Sequence, residues 1–305
     1  MKILVATQKP FAKAAVEGIT REVAEGGNEV AFLEKYNDQQ DLINAVADAD
    51  ALIVRSDKIT KDVLDAAQKL KIVVRAGAGY DSIDTAYAKQ KGVVVENTPG
   101  QNSNAVAELV FGLLVYAVRN FYNGTSGSEL GHKRLGILAF GNVGRNVARI
   151  AKGFNMEVSA FDAFCPKEVI SAANVTPVDS REALFENNDI VSLHIPATPD
   201  TIKSIDYELV NRLPENGILI NTARKEVINE PELLKLLADR PDIKYITDIK
   251  PDADAEFSKF TGRYFATPKK MGAQTAEANI NAGIAAARQI NAFFKDGCTK
   301  FQVNK

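Results

Sequence analysis

The chain has 305 residues, 46% hydrophobic and 25% charged, with a formal net charge of −2. That length accommodates two domains with separate cores, and the dispersed lysines and arginines exclude the basic footprint of a nucleic-acid binder. No apolar run reaches bilayer-spanning length, the first residues enter a strand with no signal-peptide pattern, and Cys165 and Cys298 stand alone without metal-ligand spacing. A cytoplasmic enzyme or binding protein without a metal or membrane partner is expected.

Strand candidates at 3–6, 30–33, 51–54, 72–74 and 93–95 alternate with amphipathic segments at 12–24, 41–47, 61–70 and 85–91. Such alternation predicts a parallel sheet covered on both faces, with ligands beyond the carboxyl ends of the strands. Two clusters fall at such ends. Arg55-Ser56 follows one strand, and Arg75-Ala76-Gly77-Ala78-Gly79 follows another. The small residues leave backbone amides open to an anion, and arginine forks onto carboxylate or phosphate. A turn-rich break from Asn97 to Asn102 leads into a helix at 103–118. That helix is apolar around so much of its circumference that it is expected to pack between domains or subunits.

The apolar run 135–140 reads as a buried strand, and helix-period residues Val143, Val147, Ile150 and Ala151 follow. Between them lies a near match to the dinucleotide fingerprint, with Ala139 at the first glycine position and Gly141 and Gly144 at the other two. These positions serve a tight turn, close approach of the backbone to a pyrophosphate, and close helix–strand packing. The helix N-terminus adds its amides and its positive dipole end. The next strand, 156–161, ends at Asp162. A carboxylate there accepts both ribose hydroxyls of NAD and repels the 2′-phosphate of NADP, so bound NAD is predicted.

Further strands at 189–193, 217–220, 243–247 and 264–266 end at His194-Ile195-Pro196, Asn221-Thr222-Ala223-Arg224, Asp248 and Thr267-Pro268-Lys269. Segments 231–238 and 275–294 read as helices, the second long enough to cross back to the first domain. The expected fold is α/β, with two Rossmann-like parallel-sheet domains and a cleft between them. A substrate-binding domain is assigned to 1–99 plus 283–305, and an NAD-binding domain to 100–282.

The run from Arg75 to Asp84, Asn97-Thr98-Pro99, Asn102-Ser103, the glycine turn with Asp162, and His194-Ile195-Pro196 resemble the D-2-hydroxyacid dehydrogenases in order. Asn221 to Arg224 and Thr267-Pro268 with Gly272-Ala273-Gln274-Thr275 continue the match across the chain. Val54-Arg55-Ser56 and Arg75-Ala76-Gly77 look most like the members that oxidise D-3-phosphoglycerate to 3-phosphohydroxypyruvate and open serine biosynthesis, in their short form without a C-terminal regulatory domain. The resemblance implies that Asn142, Val143 and Gly144 hold the pyrophosphate and Asp162 the adenine ribose. It places Ile195 and Pro196 on the adenosine side, Thr222, Ala223 and Asp248 at the nicotinamide, and Gly272 on the cofactor side. Ala78 and Gly79 would offer amides to the substrate carboxylate. Arg224 would polarise the reacting oxygen, and Arg55, Ser56, Arg75 and Asn102 would meet the far, anionic end. A homodimer is expected by the same likeness.

The pattern departs at the proton-handling group. The family's histidine directly after Thr-Pro is Lys269 here, and its orienting glutamate position is Ala253. The two histidines, His132 and His194, fall elsewhere. The stretch Pro268 to Gly272 is one residue longer than usual, which leaves Lys269 and Lys270 as alternatives, with Lys269 favoured as the direct replacement. Lysine titrates near ~10.4, so neighbouring cations and burial must disfavour its charge before it serves as a base. Asp252 or Asp254 could take over the orienting role. Two alternative functions are a dehydrogenase of an unphosphorylated acid such as glycerate or lactate, and an NAD-sensing protein like the transcriptional corepressors that resemble this family.

Overall fold

The computed structural model describes residues 1–305, and the chain divides into two compact units, Met1–Asn102 with Gln274–Lys305, and Ser103–Ala273. In the first unit, strands β1 (Lys2–Thr7), β2 (Glu29–Glu34), β3 (Ala51–Val54), β4 (Ile72–Arg75) and β5 (Val94–Asn97) pair in parallel in the order β2-β1-β3-β4-β5. Helices α1 (Lys13–Glu25), α2 (Gln39–Val46), α3 (Lys61–Ala66) and α4 (Thr85–Gln90) connect them. All four residues of β3 are fully buried, because strands covered on both faces read as continuous apolar runs. The side chains alternate between two cores. Leu4, Leu52, Val54 and Val73 pack on one face, and Ile3, Val5, Ile53, Ile72 and Val74 on the other. The outer edge of β5 is capped by the chain terminus: Val303 N–H donates to Val95 O, and the Asn304 side chain bonds Val95 N–H and Val93 O.

The second unit opens with α5 (Ser103–Val118) and continues through β6 (Arg134–Leu138), α6 (Asn142–Gly153), β7 (Glu157–Phe161), α7 (Lys167–Ala172) and β8 (Thr176–Pro177). The chain then returns through α8 (Arg181–Glu186), β9 (Ile190–Leu193), α9 (Tyr207–Val210), β10 (Ile218–Asn221), α10 (Glu230–Asp239), β11 (Lys244–Thr247), α11 (Asp254–Phe257) and β12 (Tyr264–Ala266). Its seven parallel strands run β12-β11-β10-β9-β6-β7-β8, so strand order reverses between β6 and β9. Ligands of doubly wound sheets bind outside the carboxyl ends at such a reversal. The elements unread in the sequence, α7, α8, α9, α11 and β8, are six residues or shorter, although α3 and α4, also six residues each, are read there.

The apolar circumference of α5 is used within its own unit. Val106, Ala107, Val110, Phe111, Leu113, Leu114, Ala117 and Val118 are buried, and Phe111 stacks on Phe154 with ring centroids 5.0 Å apart. The last helix, α12 (Ala276–Asp296), starts at Thr275, whose hydroxyl accepts from Ala278 N–H, and stops at Gly297 with φ 63°. Its Ala282, Ala286, Ala287 and Ile290 join the core formed by Ile19 and Val23 of α1. The division at Ala273 therefore replaces the expected one at 283, because a boundary inside this helix would split one rigid element. The first division likewise falls after Asn102 rather than after residue 99. No helix is long and apolar enough to cross a membrane.

Candidate active site

Beyond β6 the backbone turns sharply, and Ala139 takes φ 78°. This left-handed conformation disfavours a side chain, which is why glycine is the usual residue there. A Cβ at Gly144 would collide with Ala139 O, whereas one at Gly141 would meet nothing within 4 Å. Gly144 thus lets α6 pack on β6. Gly141 instead keeps open space above its backbone, ahead of the first-turn amides of Asn142 and Val143. Asp162 is locked to this turn: Oδ2 accepts from Phe140 N–H at 2.7 Å, and Oδ1 accepts from Phe164 and Cys165 N–H at 2.8 Å each. Ile195, half-buried, and Pro196, exposed, follow β9.

The ends of β10 and β11 hold the other half of the site. Asn221 is fully buried, accepts from Ala223 N–H and donates to Arg224 O, each at 2.9 Å. It shapes the Thr222–Arg224 turn, a role its place at a strand end before a turn could have signalled. Asp248 Oδ2 accepts from Gly272 N–H at 2.8 Å, and a Cβ at Gly272 would crowd that same oxygen. Of five buried side-chain polar atoms without a partner, two lie at these strand ends, Thr222 Oγ1 and Asp248 Oδ1. Buried polar groups are ordinarily satisfied, so two orphans side by side in the sequence of strand ends fit a ligand that carries its own donors and acceptors, as a carboxamide does. Burial raises the Asp248 pKa above the usual carboxylate value, offset in part by Gly272 N–H and the Lys270 charge.

The two lysines differ in their surroundings. Lys270 Nζ donates to Ala223 O at 3.1 Å, and Arg224 Nη1 donates to the same oxygen at 2.9 Å. Lys269, favoured from the sequence, is exposed, and its carbonyl lies 2.7 Å from Thr267 Oγ1. The one-residue extension after Pro268 thus brings the second lysine, not the first, beside Arg224. Neither candidate orienting acid faces it: Asp252 pairs with Lys225, and Asp254 with Lys250 and the Tyr264 hydroxyl. His194 Nε2 lies 2.9 Å from Ser192 Oγ, and burial pushes its pKa down to about 3, so the ring is neutral. His132 precedes the amino end of β6, opposite the ligand end of the sheet.

In the first unit, strand order reverses between β1 and β3, whose carboxyl ends carry Gln8-Lys9-Pro10 and Arg55-Ser56. Arg55 Nη1 donates to Lys9 O at 3.1 Å and Pro10 O at 3.3 Å, Nη2 donates to Asn279 Oδ1, and the guanidinium lies 5.2 Å from the Phe11 ring centroid. Arg75 Nε donates to Arg55 O at 2.9 Å. Its Nη1 occupies the space a Cβ on Gly77 (φ 147°) would need, so glycine lets this guanidinium lie over the Ala76–Gly79 turn. Asn97 Nδ2 donates to Ala78 O at 2.5 Å and steadies the turn's far side. Ser56 is exposed, and Asn102 is half-buried at the end of the unit's first segment. Asp57, unassigned from the sequence, accepts from Gln8 N–H, Tyr36 O–H and Arg55 N–H at 2.8, 2.8 and 3.1 Å, tying three loops together.

Two doubly wound sheets, one with a dinucleotide-type glycine turn and a following acid, define a dehydrogenase class of fold. The profile of the D-isomer specific 2-hydroxyacid dehydrogenase catalytic domain matches residues 5–304, and the chain belongs to that family. It is 34% identical over 283 residues to a D-3-phosphoglycerate dehydrogenase of Methanocaldococcus jannaschii, covering 87% of this chain and 54% of that one. It is 33% identical to a hydroxypyruvate reductase of Thermotoga maritima, covering 86% and 90%. The chain therefore spans about half the length of the first relative and most of the second. An NAD+-bound 3-phosphoglycerate dehydrogenase structure from Entamoeba histolytica superposes with a TM-score of 0.88 at 47% identity, covering 100% of this chain and 99% of that one.

Proposed function

We propose that this chain is an NAD-dependent D-2-hydroxyacid dehydrogenase whose substrate is 3-phosphoglycerate, oxidised to 3-phosphohydroxypyruvate at the entry to serine biosynthesis. The observation that carries the reading is the convergence of Arg224 and Lys270 on the Ala223 carbonyl, next in sequence to the orphaned Thr222 hydroxyl and on the same unit as the orphaned Asp248 oxygen. NAD would be held by Gly141, Asn142, Val143 and Gly144 at the pyrophosphate, Asp162 at the ribose, Ile195 and Pro196 at the adenosine, and Thr222, Ala223, Asp248 and Gly272 at the nicotinamide. When bound, its nicotinamide supplies the hydride acceptor.

The protein's own groups do the rest. Arg224 holds the substrate carboxylate and the reacting oxygen, stabilising charge that builds on it. Lys270 takes the hydroxyl proton as an amine during oxidation and returns it as an ammonium during reduction. Oxidation accordingly gains rate as pH rises through the lysine's titration, and reduction loses it. Arg55, Ser56, Arg75 and Asn102 serve the anionic far end, with Ala78 and Gly79 N–H on the carboxylate. Phosphoglycerate dehydrogenases among the relatives support this substrate, and the reductase among them keeps an unphosphorylated acid as the competing one. A pure sensor has no use for two cations on one carbonyl. A homodimer and a cytoplasmic location belong to the same reading, on the family likeness and the composition.

The test is a matched pair of variants assayed for NADH formation with 3-phosphoglycerate. Lys270→Met is expected to lower kcat about 100-fold or more, the range of a lost general acid/base, and to abolish the rise of oxidation with pH. Lys269→Met should cost less than about tenfold. A larger loss in Lys269→Met than in Lys270→Met refutes the assignment.

A further inference from the structure

We propose that Lys9, on the loop after β1, is a phosphate-reading cation of the first unit and sets the preference for a phosphorylated over an unphosphorylated hydroxy acid. The inference rests on the substrate reading above and adds a residue to it. Its motivation is topological first: strand order reverses between β1 and β3, and the loops leaving those two strands, Gln8-Lys9-Pro10 and Arg55-Ser56, are where a ligand of this sheet belongs.

The geometry then distinguishes Lys9 from an ordinary surface lysine. Its carbonyl is held from two sides, by Thr7 Oγ1 at 2.6 Å and by Arg55 Nη1 at 3.1 Å. The backbone position from which the ammonium extends is therefore fixed. Lys9 is exposed and forms no ion pair. By contrast Lys13, on the first turn of α1, lies 3.7 Å from Glu17. The carboxylates of the same loop cluster serve other donors: Asp57 accepts from Gln8 N–H, Tyr36 O–H and Arg55 N–H, and Glu34 from Phe11 N–H.

Arg55 brings its charge to that end but has few donors left over. Both of its terminal nitrogens already donate to protein oxygens, of Lys9, Pro10 and Asn279. It braces the loop that carries Lys9, and through its own carbonyl it holds Arg75 Nε. A phosphate carries close to two charges and several acceptor oxygens, more than one guanidinium satisfies. An ammonium serves it as a mobile point charge with three donors, whereas the guanidinium supplies the planar fork. Lys9 and Arg75 together provide that combination.

The experiment compares the kcat/KM ratio for 3-phosphoglycerate over D-glycerate, and the calorimetric affinities of the two acids for the NADH-loaded protein. Lys9→Met is expected to lower the ratio about tenfold, as for a hydrogen bond to a charged group, and Lys9→Arg to restore most of it. Lys13→Met, the same charge removed nearby in the chain, should leave the ratio within about twofold of wild type. An unchanged ratio in Lys9→Met, or an equal fall in Lys13→Met, overturns the proposal while the substrate reading stands. A wild-type protein with no preference for the phosphorylated acid overturns both.

Discussion

The two units solve the same problem, a loop at the carboxyl end of a parallel strand, in opposite ways. In the first, the cations are braced: Arg55 is hydrogen-bonded to two carbonyls and an asparagine, and Arg75 to the Arg55 carbonyl over a glycine that makes room for it. In the second, the strand ends carry oxygens left waiting rather than braced cations: Thr222 Oγ1 and Asp248 Oδ1 are buried without partners, as only Thr98 Oγ1 is at a strand end of the first, and Gly141 faces open space. A charged end group is recognised by cations that stay charged whatever surrounds them, so bracing costs little. A neutral carboxamide and a pyrophosphate are recognised by complementary donors and acceptors, which a closed network would already have consumed.

That contrast breaks most visibly at Gly141. Gly141→Ala adds a methyl where the free chain has nothing within 4 Å, so folding should be unaffected while NAD affinity falls about 100-fold through collision with the pyrophosphate. NADH fluorescence titration together with a melting curve checks this. A large fall in Tm with unchanged affinity would mean the open space is structural.

Asp248→Asn sharpens the contrast at smaller amplitude. Because burial raises the Asp248 pKa, the folded chain holds a proton there to higher pH than the unfolded chain does. The carboxyl's favourable contribution is complete below the usual carboxylate pKa and is lost as pH rises through the raised value. Replacing it with an amide should raise the Tm of the ligand-free protein at neutral pH and flatten its dependence on pH just above the usual carboxylate range. NAD affinity should drop about tenfold, for one lost hydrogen bond to a charged acceptor. Stability and binding moving down together would contradict a site held incomplete for its ligand.

The smallest expected effect is at Ala139. Ala139→Gly relieves φ 78°, worth about 1–2 kcal/mol, against roughly 0.4–1 kcal/mol of added unfolded-state entropy. A net gain of about 0.5–1 kcal/mol in denaturant-monitored stability is expected, with NAD affinity unchanged. A loss of stability would show that alanine's methyl is packed rather than strained.

Much of this was legible without coordinates. Alternating strand and helix signals gave two parallel sheets, and Ala139 and Gly144 marked the sharp turn between β6 and α6, because strand periodicity and short-range sterics dictate them. The short elements α7 to α9 and α11 were not legible: elements of four to six residues carry little period, and α3 and α4 of that length were read only as part of the regular strand–helix alternation of the first unit. Nor was the division at Ala273, which follows from α12 packing along α1.

By itself, then, the sequence determined the fold class, the family and the residue types at each strand end, because parallel strands buried on both faces and a turn that admits only small residues leave local signatures. Only the tertiary structure decided that Lys270 rather than Lys269 stands beside Arg224, that Asp252 and Asp254 are paired elsewhere, and that Arg55 braces the Lys9 loop. Those outcomes depend on which way a side chain leaves an irregular loop and which distant carbonyl it meets. Sequence spacing does not encode either.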